Sequence, residues 1–134
     1  MGLSILLCDD EVHILRAAEF KFTRAGFDVR CASDGEEAWQ LIEERQPDLV
    51  ITDCQMPRLD GLGLAKRIHE SPLTTGIPVL MLTGKGFEIP RTEQWREFGI
   101  VQVLPKPFSP RELIAKSQQI LEKTVRTASA SGSL

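Results

Sequence analysis

Several features that would place a chain in a common functional class are absent from this sequence of 134 residues. No apolar run approaches the ~20 residues that a membrane-spanning helix needs, and the N-terminus shows no basic region followed by a cleavage site. The phosphate-binding pattern Gly-x4-Gly-Lys-Ser/Thr does not occur. Basic residues are not in excess, since 16 Lys and Arg face 19 Asp and Glu and the net charge is −3. The chain therefore offers no overall field for direct binding of nucleic acid or an anionic membrane.

Cysteine is also scarce. The three cysteines, Cys8, Cys31 and Cys54, are odd in number and form no Cys-x-x-Cys pair. Disulfide frameworks use even numbers of cysteines in oxidising compartments. We therefore predict free thiols and a cytoplasmic location.

The patterns that are present predict an α/β fold. Hydrophobic residues make up 42% of the chain, which suits one domain with a real core. Short, almost continuously apolar runs alternate five times with helix-like segments, and such runs are typical of parallel strands covered on both faces. We expect a doubly wound (βα)5 parallel sheet with strand order 2-1-3-4-5. The fourth helix is predicted to begin near Pro90 and to bury Trp95 and Phe98.

A change of composition marks the end of the predicted domain. After about Thr124 the sequence becomes Thr-Ala-Ser-Ala-Ser-Gly-Ser-Leu. Small polar residues of this kind are typical of flexible segments. The sequence thus predicts a domain over residues 1–123 and a flexible tail, or the start of a linker, over residues 124–134.

Polar side chains follow four of the apolar runs, at the point where each run ends. They are Asp9 with Asp10, then Asp53, Thr83 and Lys106. The carboxyl ends of parallel strands share one edge of a sheet, so these groups are expected to converge. Clustered carboxylates repel one another unless cations neutralise them. Lys106 supplies one positive charge, and a hard divalent ion with oxygen ligands is the natural second.

These residues carry a resemblance to the response-regulator receiver domains of two-component phosphorelays. The matching motifs are Cys-Asp-Asp-Glu at 8–11, Asp-Cys-Gln-Met-Pro at 53–57 with Asp60-Gly61, Thr-Gly at 83–84 and Lys-Pro-Phe at 106–108. The resemblance covers residues 3 to about 123. It implies a flavodoxin-like fold and a signalling module that receives a phosphoryl group from a sensor histidine kinase or phosphotransfer protein.

The resemblance also implies a role for each site residue. Asp53 is the phosphoryl acceptor, and a carboxylate is a suitable nucleophile for an aspartyl phosphate. Mg²⁺ is held by Asp9, Asp10, Asp53 and the backbone carbonyl of Gln55. Lys106 pairs with the acceptor and then with the phosphate. The domain is then not an enzyme beyond its own phosphorylation and dephosphorylation.

Two further residues of the resemblance concern switching. The Thr83 hydroxyl moves to form a hydrogen bond with a phosphate oxygen. The Lys106–Pro107 peptide bond is usually cis in such domains. Receiver domains usually carry an aromatic residue where this chain has Val103. We therefore expect the response to concentrate in the loop from Thr83 to Pro90 and the following helix. That surface is the candidate contact for an output partner or for a second copy of the chain.

Two alternatives remain open from the sequence. A haloacid-dehalogenase-type phosphatase also uses a strand-end aspartate with Mg²⁺, but it requires Asp-x-Asp after the first strand, where this chain has adjacent Asp9 and Asp10. A receiver-like interaction scaffold with weakened switching is the second alternative, and Val103 is the residue that keeps it open.

Overall fold

The computed structural model describes residues 2–84, 95 and 97–132, with side chains through residue 124. This part of the chain contains five strands and four helices. In chain order they are β1 Ser4–Cys8, α1 Val12–Arg24, β2 Asp28–Ala32, α2 Gly35–Glu44, β3 Leu49–Asp53, α3 Gly61–Glu70, β4 Val79–Thr83, β5 Ile100–Pro105 and α4 Pro110–Gly132.

All five strands form one parallel sheet in the order β2-β1-β3-β4-β5. The predicted topology is therefore confirmed. Leu7 of β1 lies level with Ile51 of β3, and Asp53 at the end of β3 lies level with Leu82 of β4. This register brings the ends of β1, β3, β4 and β5 to a common edge.

Two apolar layers explain why the strand runs are almost continuously hydrophobic. Alternate strand residues such as Leu6, Val50 and Met81 pack on one face of the sheet with α2 and α3. Their neighbours, such as Leu7, Ile51 and Leu82, pack on the other face with α1 and α4. Successive strand side chains point to opposite faces, so a strand covered on both sides must be apolar at every position.

Polar residues at the helix starts set the positions of the helices next to the sheet edge. Asp34 caps α2 by accepting a hydrogen bond from Glu37 N at 2.8 Å, and Asp60 caps α3 through Gly63 N at 2.7 Å. Ser109 Oγ accepts from Glu112 N at 3.0 Å at the start of α4. These contacts satisfy backbone donors that have no partner within the helix.

The remaining sequence predictions have different outcomes. We predicted a helix near Pro90, and its start lies outside the described residues, as does most of the loop from Thr83 to Pro90. Trp95 and Phe98 are half-buried and pack against the layer that contains α2 and α3. Helix α4 continues to Gly132, beyond the residue at which we expected a tail, and the division at residue 124 stays a prediction. Among the described helices, α4 included, none is long and apolar enough to cross a bilayer.

Candidate functional site

Three carboxylates meet at the carboxyl edge of the sheet. Asp9 follows β1, Asp10 is its neighbour, and Asp53 ends β3. One oxygen from each lies within 4.8 Å of the others. Asp9 is 2% exposed and Asp53 is 5% exposed, whereas Asp10 lies on the surface. The pairing of β1 with β3 thus brings together the aspartates that the sequence predicted.

Lys106 reaches this cluster from the end of β5. Its Nζ lies 2.9 Å from Asp9 Oδ2, 3.3 Å from Asp53 Oδ2 and 3.0 Å from Glu11 Oε1. The Lys106 side chain is only 13% exposed. One ammonium group therefore contacts three carboxylates and leaves the cluster with a net negative charge.

Burial dominates the electrostatics of the site. It raises the pKa of Asp9 above the ordinary range, and burial together with the Asp9 charge does the same for the pKa of Asp53. Lys106 opposes both shifts but does not cancel them. Burial alone would lower the pKa of Lys106, yet its contacts with Asp9 and Glu11 and the charge of Asp53 leave that pKa above the ordinary value. The ammonium thus stays charged, and the carboxylates lie where further positive charge is favourable.

The donors present fit a hard divalent cation. Asp9 Oδ1 accepts a hydrogen bond from Glu11 N at 2.9 Å. Asp9 Oδ2 is buried and lies 2.9 Å from the Lys106 ammonium, which also contacts Asp53 and Glu11. Three carboxylates that share one ammonium keep a negative charge, and this acidic, all-oxygen cluster matches the ligand preference of Mg²⁺, which binds few carboxylates and keeps several waters.

Thr83 lies at the same edge and is joined to Lys106 through the backbone. Lys106 N donates a hydrogen bond to the carbonyl of Thr83 at 2.7 Å. Thr83 is 9% exposed, and its strand lies between β3 and β5. The Lys106–Pro107 peptide bond is cis, as the resemblance implied.

Gln55 lies in the loop between β3 and α3. Its backbone N donates a long hydrogen bond of 3.5 Å to Asp53 Oδ1, and its residue as a whole is exposed. Cys54 N donates to Leu82 O at 3.0 Å and Gly61 N donates to Cys54 O at 2.9 Å, so both ends of the loop are held. The assignment of the Gln55 carbonyl as a metal ligand stays a prediction.

Val103 is half-buried in β5 and packs against the layer that contains α2 and α3. Its short, branched side chain lies where receiver domains usually have a ring.

The sequence reasoning missed two interactions near the site. Glu11 pairs with Lys106, and its place directly after Asp9-Asp10 was the available signal. Arg58 pairs with Asp34 across the loop. No local pattern predicts that second pair, because the two residues lie 24 positions apart in the chain.

The parallel sheet with strand order 2-1-3-4-5 and this acidic edge with its lysine define a receiver-type signalling fold. A sequence model described as "Response regulator receiver domain" matches residues 5–118. The chain therefore belongs to the response regulator receiver domain family. This membership favours the signalling interpretation over the phosphatase alternative.

Individual relatives agree with the family assignment. The chain is 38% identical over 131 residues to the alkaline phosphatase synthesis transcriptional regulatory protein PhoP of Bacillus subtilis, covering 98% of this chain and 53% of that protein. It is 37% identical over 124 residues to the phosphate regulon transcriptional regulatory protein PhoB of Pseudomonas aeruginosa, covering 92% and 54%. The chain thus spans about half the length of these curated relatives.

A solved structure matches the fold over most of its length. The chemotaxis response regulator CheY4 of Vibrio cholerae superposes with a TM-score of 0.80 and 26% identity, covering 90% of this chain and 99% of that one. The arrangement of strands and helices described here is therefore that of a receiver domain.

Proposed function

We propose that this receiver domain accepts a phosphoryl group on Asp53 from a sensor histidine kinase or a phosphotransfer protein. The observation that carries the proposal is the position of Asp53, which ends β3 beside the buried Asp9 carboxylate and within 3.3 Å of the Lys106 ammonium. In the transfer, an Asp53 carboxylate oxygen forms a bond to phosphorus as the bond from phosphorus to the donor histidine nitrogen breaks. The imidazole keeps the electron pair of the broken bond.

Each site residue has a role in this proposal. Asp9, Asp10, Asp53 and the carbonyl of Gln55 would hold Mg²⁺, which supplies charge neutralisation for the carboxylate and the incoming phosphoryl oxygens. Lys106 exchanges its contact with Asp53 for one with a phosphate oxygen, and it stays close because its backbone N is bonded to Thr83 O. Thr83 donates its hydroxyl to another phosphate oxygen. Because these groups act on the domain's own aspartate, we infer a signalling module and not an enzyme.

The partners and the location are part of the same proposal. The curated relatives are transcriptional regulators of about twice this length, so an effector outside residues 1–123 would carry the output. The net charge of −3 supports a receiver domain that does not itself bind nucleic acid or membrane. The free cysteines Cys8, Cys31 and Cys54 support a cytoplasmic location. A second copy of the chain is a candidate partner, and residues 124–134 are a candidate tail or linker.

A second candidate is an interaction scaffold with weakened switching. The observation that favours it is Val103, which is half-buried and cannot move a ring between buried and exposed positions. The two candidates differ in one measurable respect: a scaffold binds its partner equally well whether or not Asp53 carries a phosphate.

Phosphorylation by acetyl phosphate tests the main proposal. Incubation with acetyl phosphate and Mg²⁺ should add one phosphoryl group to the wild-type chain, as seen by intact-protein mass spectrometry. Asp53→Asn and the addition of EDTA should each abolish the addition. Asp28→Asn is the matched control, because Asp28 is an exposed strand aspartate that pairs with Arg45 away from the site. Phosphorylation that persisted in Asp53→Asn would refute the assignment of the acceptor.

A further inference from the structure

The loop after Asp53 contains a backbone conformation that side-chain-bearing residues seldom adopt. Arg58 has a φ of 68°, and it is the only residue other than glycine with a positive φ in the described part of the chain. Leu59 N donates a hydrogen bond of 2.8 Å to Pro57 O, two residues back. Together these features define a γ-turn of the positive-φ type, which is rare and strained. Such strain persists only where surrounding contacts hold it in place.

The N-terminus of α2 supplies those contacts. The Arg58 guanidinium forms an ion pair with Asp34, whose side chain is 3% exposed. Asp34 is itself fixed as the cap of α2 through its bond with Glu37 N. The neighbouring Gly35 packs so closely on Leu59 that a Cβ there would overlap the Leu59 carbonyl oxygen. Both Arg58 and Leu59 of the turn are thus held by α2.

The same loop carries the backbone that lies beside the acceptor. Gly61 N closes the loop by donating to Cys54 O at 2.9 Å, so the turn lies within a short closed segment. Gln55 N lies within this segment and contacts Asp53 Oδ1 at 3.5 Å. Gln55 lies two residues before the turn in this closed segment, so a change in the γ-turn is expected to move Gln55 relative to Asp53.

We propose that the Asp34–Arg58 ion pair is a positioning element of the phosphorylation site, which holds the γ-turn at residues 57–59 and thereby sets Gln55 beside Asp53. The inference rests on the proposed function, since it assigns the pair an effect on the Mg²⁺ site and on phosphorylation. Arg58 is a positioning residue because its guanidinium contacts Asp34 and not the Asp53 acceptor. The Arg58 side chain is 69% exposed and the Asp34 side chain is 3% exposed, so solvent screens the pair only in part.

Paired substitutions separate this role from a general structural one. Asp34→Asn keeps an oxygen that can cap α2 but removes the charge, and Arg58→Gln removes the charge of the partner. We expect each to weaken Mg²⁺ binding about tenfold, at the lower end of the range found when groups that orient metal ligands are changed. Because the two residues act as a pair, the double variant should bind Mg²⁺ no more weakly than the single variant with the lower affinity. The dissociation constant comes from amide NMR shifts during titration with MgCl₂, and phosphorylation by acetyl phosphate is followed in parallel.

Two further variants test the backbone argument. Arg58→Gly removes the ion pair but tolerates the positive φ without strain, so its Mg²⁺ affinity should lie between those of wild type and Arg58→Gln. Arg58→Lys keeps the charge and should retain most of the affinity. The matched controls are Asp28→Asn and Arg45→Gln, which remove an exposed pair of the same charge types at 2.9 Å and should leave Mg²⁺ affinity unchanged.

The outcomes are distinct. Wild-type Mg²⁺ affinity and phosphorylation in Asp34→Asn and Arg58→Gln would overturn the inference and leave the proposed function intact. Changes no larger than those in Asp28→Asn and Arg45→Gln would also overturn it, because the effect would then not be specific to the Asp34–Arg58 pair. A wild-type chain that bound no Mg²⁺ and took no phosphoryl group would overturn the proposed function, and this inference with it.

Discussion

Lys106 Nζ lies 3.0 Å from Glu11 Oε1 and 3.3 Å from Asp53 Oδ2, so one ammonium bridges a surface carboxylate and the buried acceptor. The Glu11 side chain is 59% exposed and the Asp53 side chain is 8% exposed. Water can replace Lys106 at Glu11 far more easily than at Asp53. The two contacts of Lys106 are therefore expected to differ in energy, and two substitutions can distinguish them.

Glu11→Gln should lower the free energy of unfolding by no more than about 1 kcal/mol and make the domain easier to phosphorylate. An exposed ion pair contributes about 0.2–1 kcal/mol. If Lys106 must leave Glu11 to reach a phosphate, removing that contact should raise the phosphorylation rate by about 1.4- to 5-fold. The phosphorylation rate is measured with acetyl phosphate, and the free energy of unfolding is measured in urea. A rate below that of wild type would show that Glu11 assists Lys106 instead of competing for it.

Lys106→Met should separate metal binding from phosphorylation. Loss of the ammonium leaves the Asp9 and Asp53 carboxylates without their contacting cation, so Mg²⁺ should bind more tightly. The expected gain is about 1 kcal/mol, or fivefold, because solvent partly screens the repulsion between the lysine charge and the metal ion. Phosphorylation should fall about 100-fold, as when one donor to a developing charge is removed. Lys66→Met, on the exposed side of α3, is the control for the loss of one charge. Tighter binding in both variants would indicate a net-charge effect and no local role.

The strand ends explain why so much of the site could be predicted. Asp9, Asp53 and Lys106 each follow a clear apolar run, and the topology of a parallel sheet then brings such residues to one edge. The pair between Asp34 and Arg58 could not be predicted in this way. It depends on a positive φ at Arg58 and on the reach of a long side chain between two loops, and neither has a signature in local sequence patterns.

Helix ends likewise include some that local sequence indicates and some that it does not. Caps such as Asp34 and Ser109 are of a kind that local sequence can indicate, because a side-chain oxygen before a helix has a defined local partner. The far end of α4 was not recognisable, because Ala and Ser after residue 124 are compatible with either a helix or a tail.

The stability difference between wild type and Asp34→Asn should depend on pH. The hydrogen bond from Arg58, followed by that from Glu37 N, lowers the pKa of Asp34 below its usual value of 3.8. A carboxylate with a lowered pKa in the folded state stabilises the fold above the unfolded pKa, and this contribution is lost as the pH falls through the folded value. Wild type should therefore be the more stable at pH 7, and the difference should shrink below about pH 4. Urea unfolding of both proteins from pH 7 to pH 3 measures this stability difference. A difference that grew on acidification would contradict a lowered pKa of Asp34 in the folded protein.

Gly61→Ala and Gly76→Ala make the same chemical change in opposite surroundings. A Cβ at Gly61 would overlap the carbonyl oxygen of Asp53 and lie 2.9 Å from both the Asp53 carbonyl carbon and Cys54 Cα, which are backbone atoms at the site itself. A Cβ at Gly76 would have nothing within 4 Å. Gly61→Ala should therefore lower the free energy of unfolding by about 1–3 kcal/mol, the usual cost of overpacking, and should shift the amide NMR signals of Asp53 and Cys54. Gly76→Ala should be neutral or add up to about 1 kcal/mol, because alanine restricts the unfolded chain. Equal stabilities of the two variants would mean that α3 does not begin against the acceptor strand as closely as these distances require.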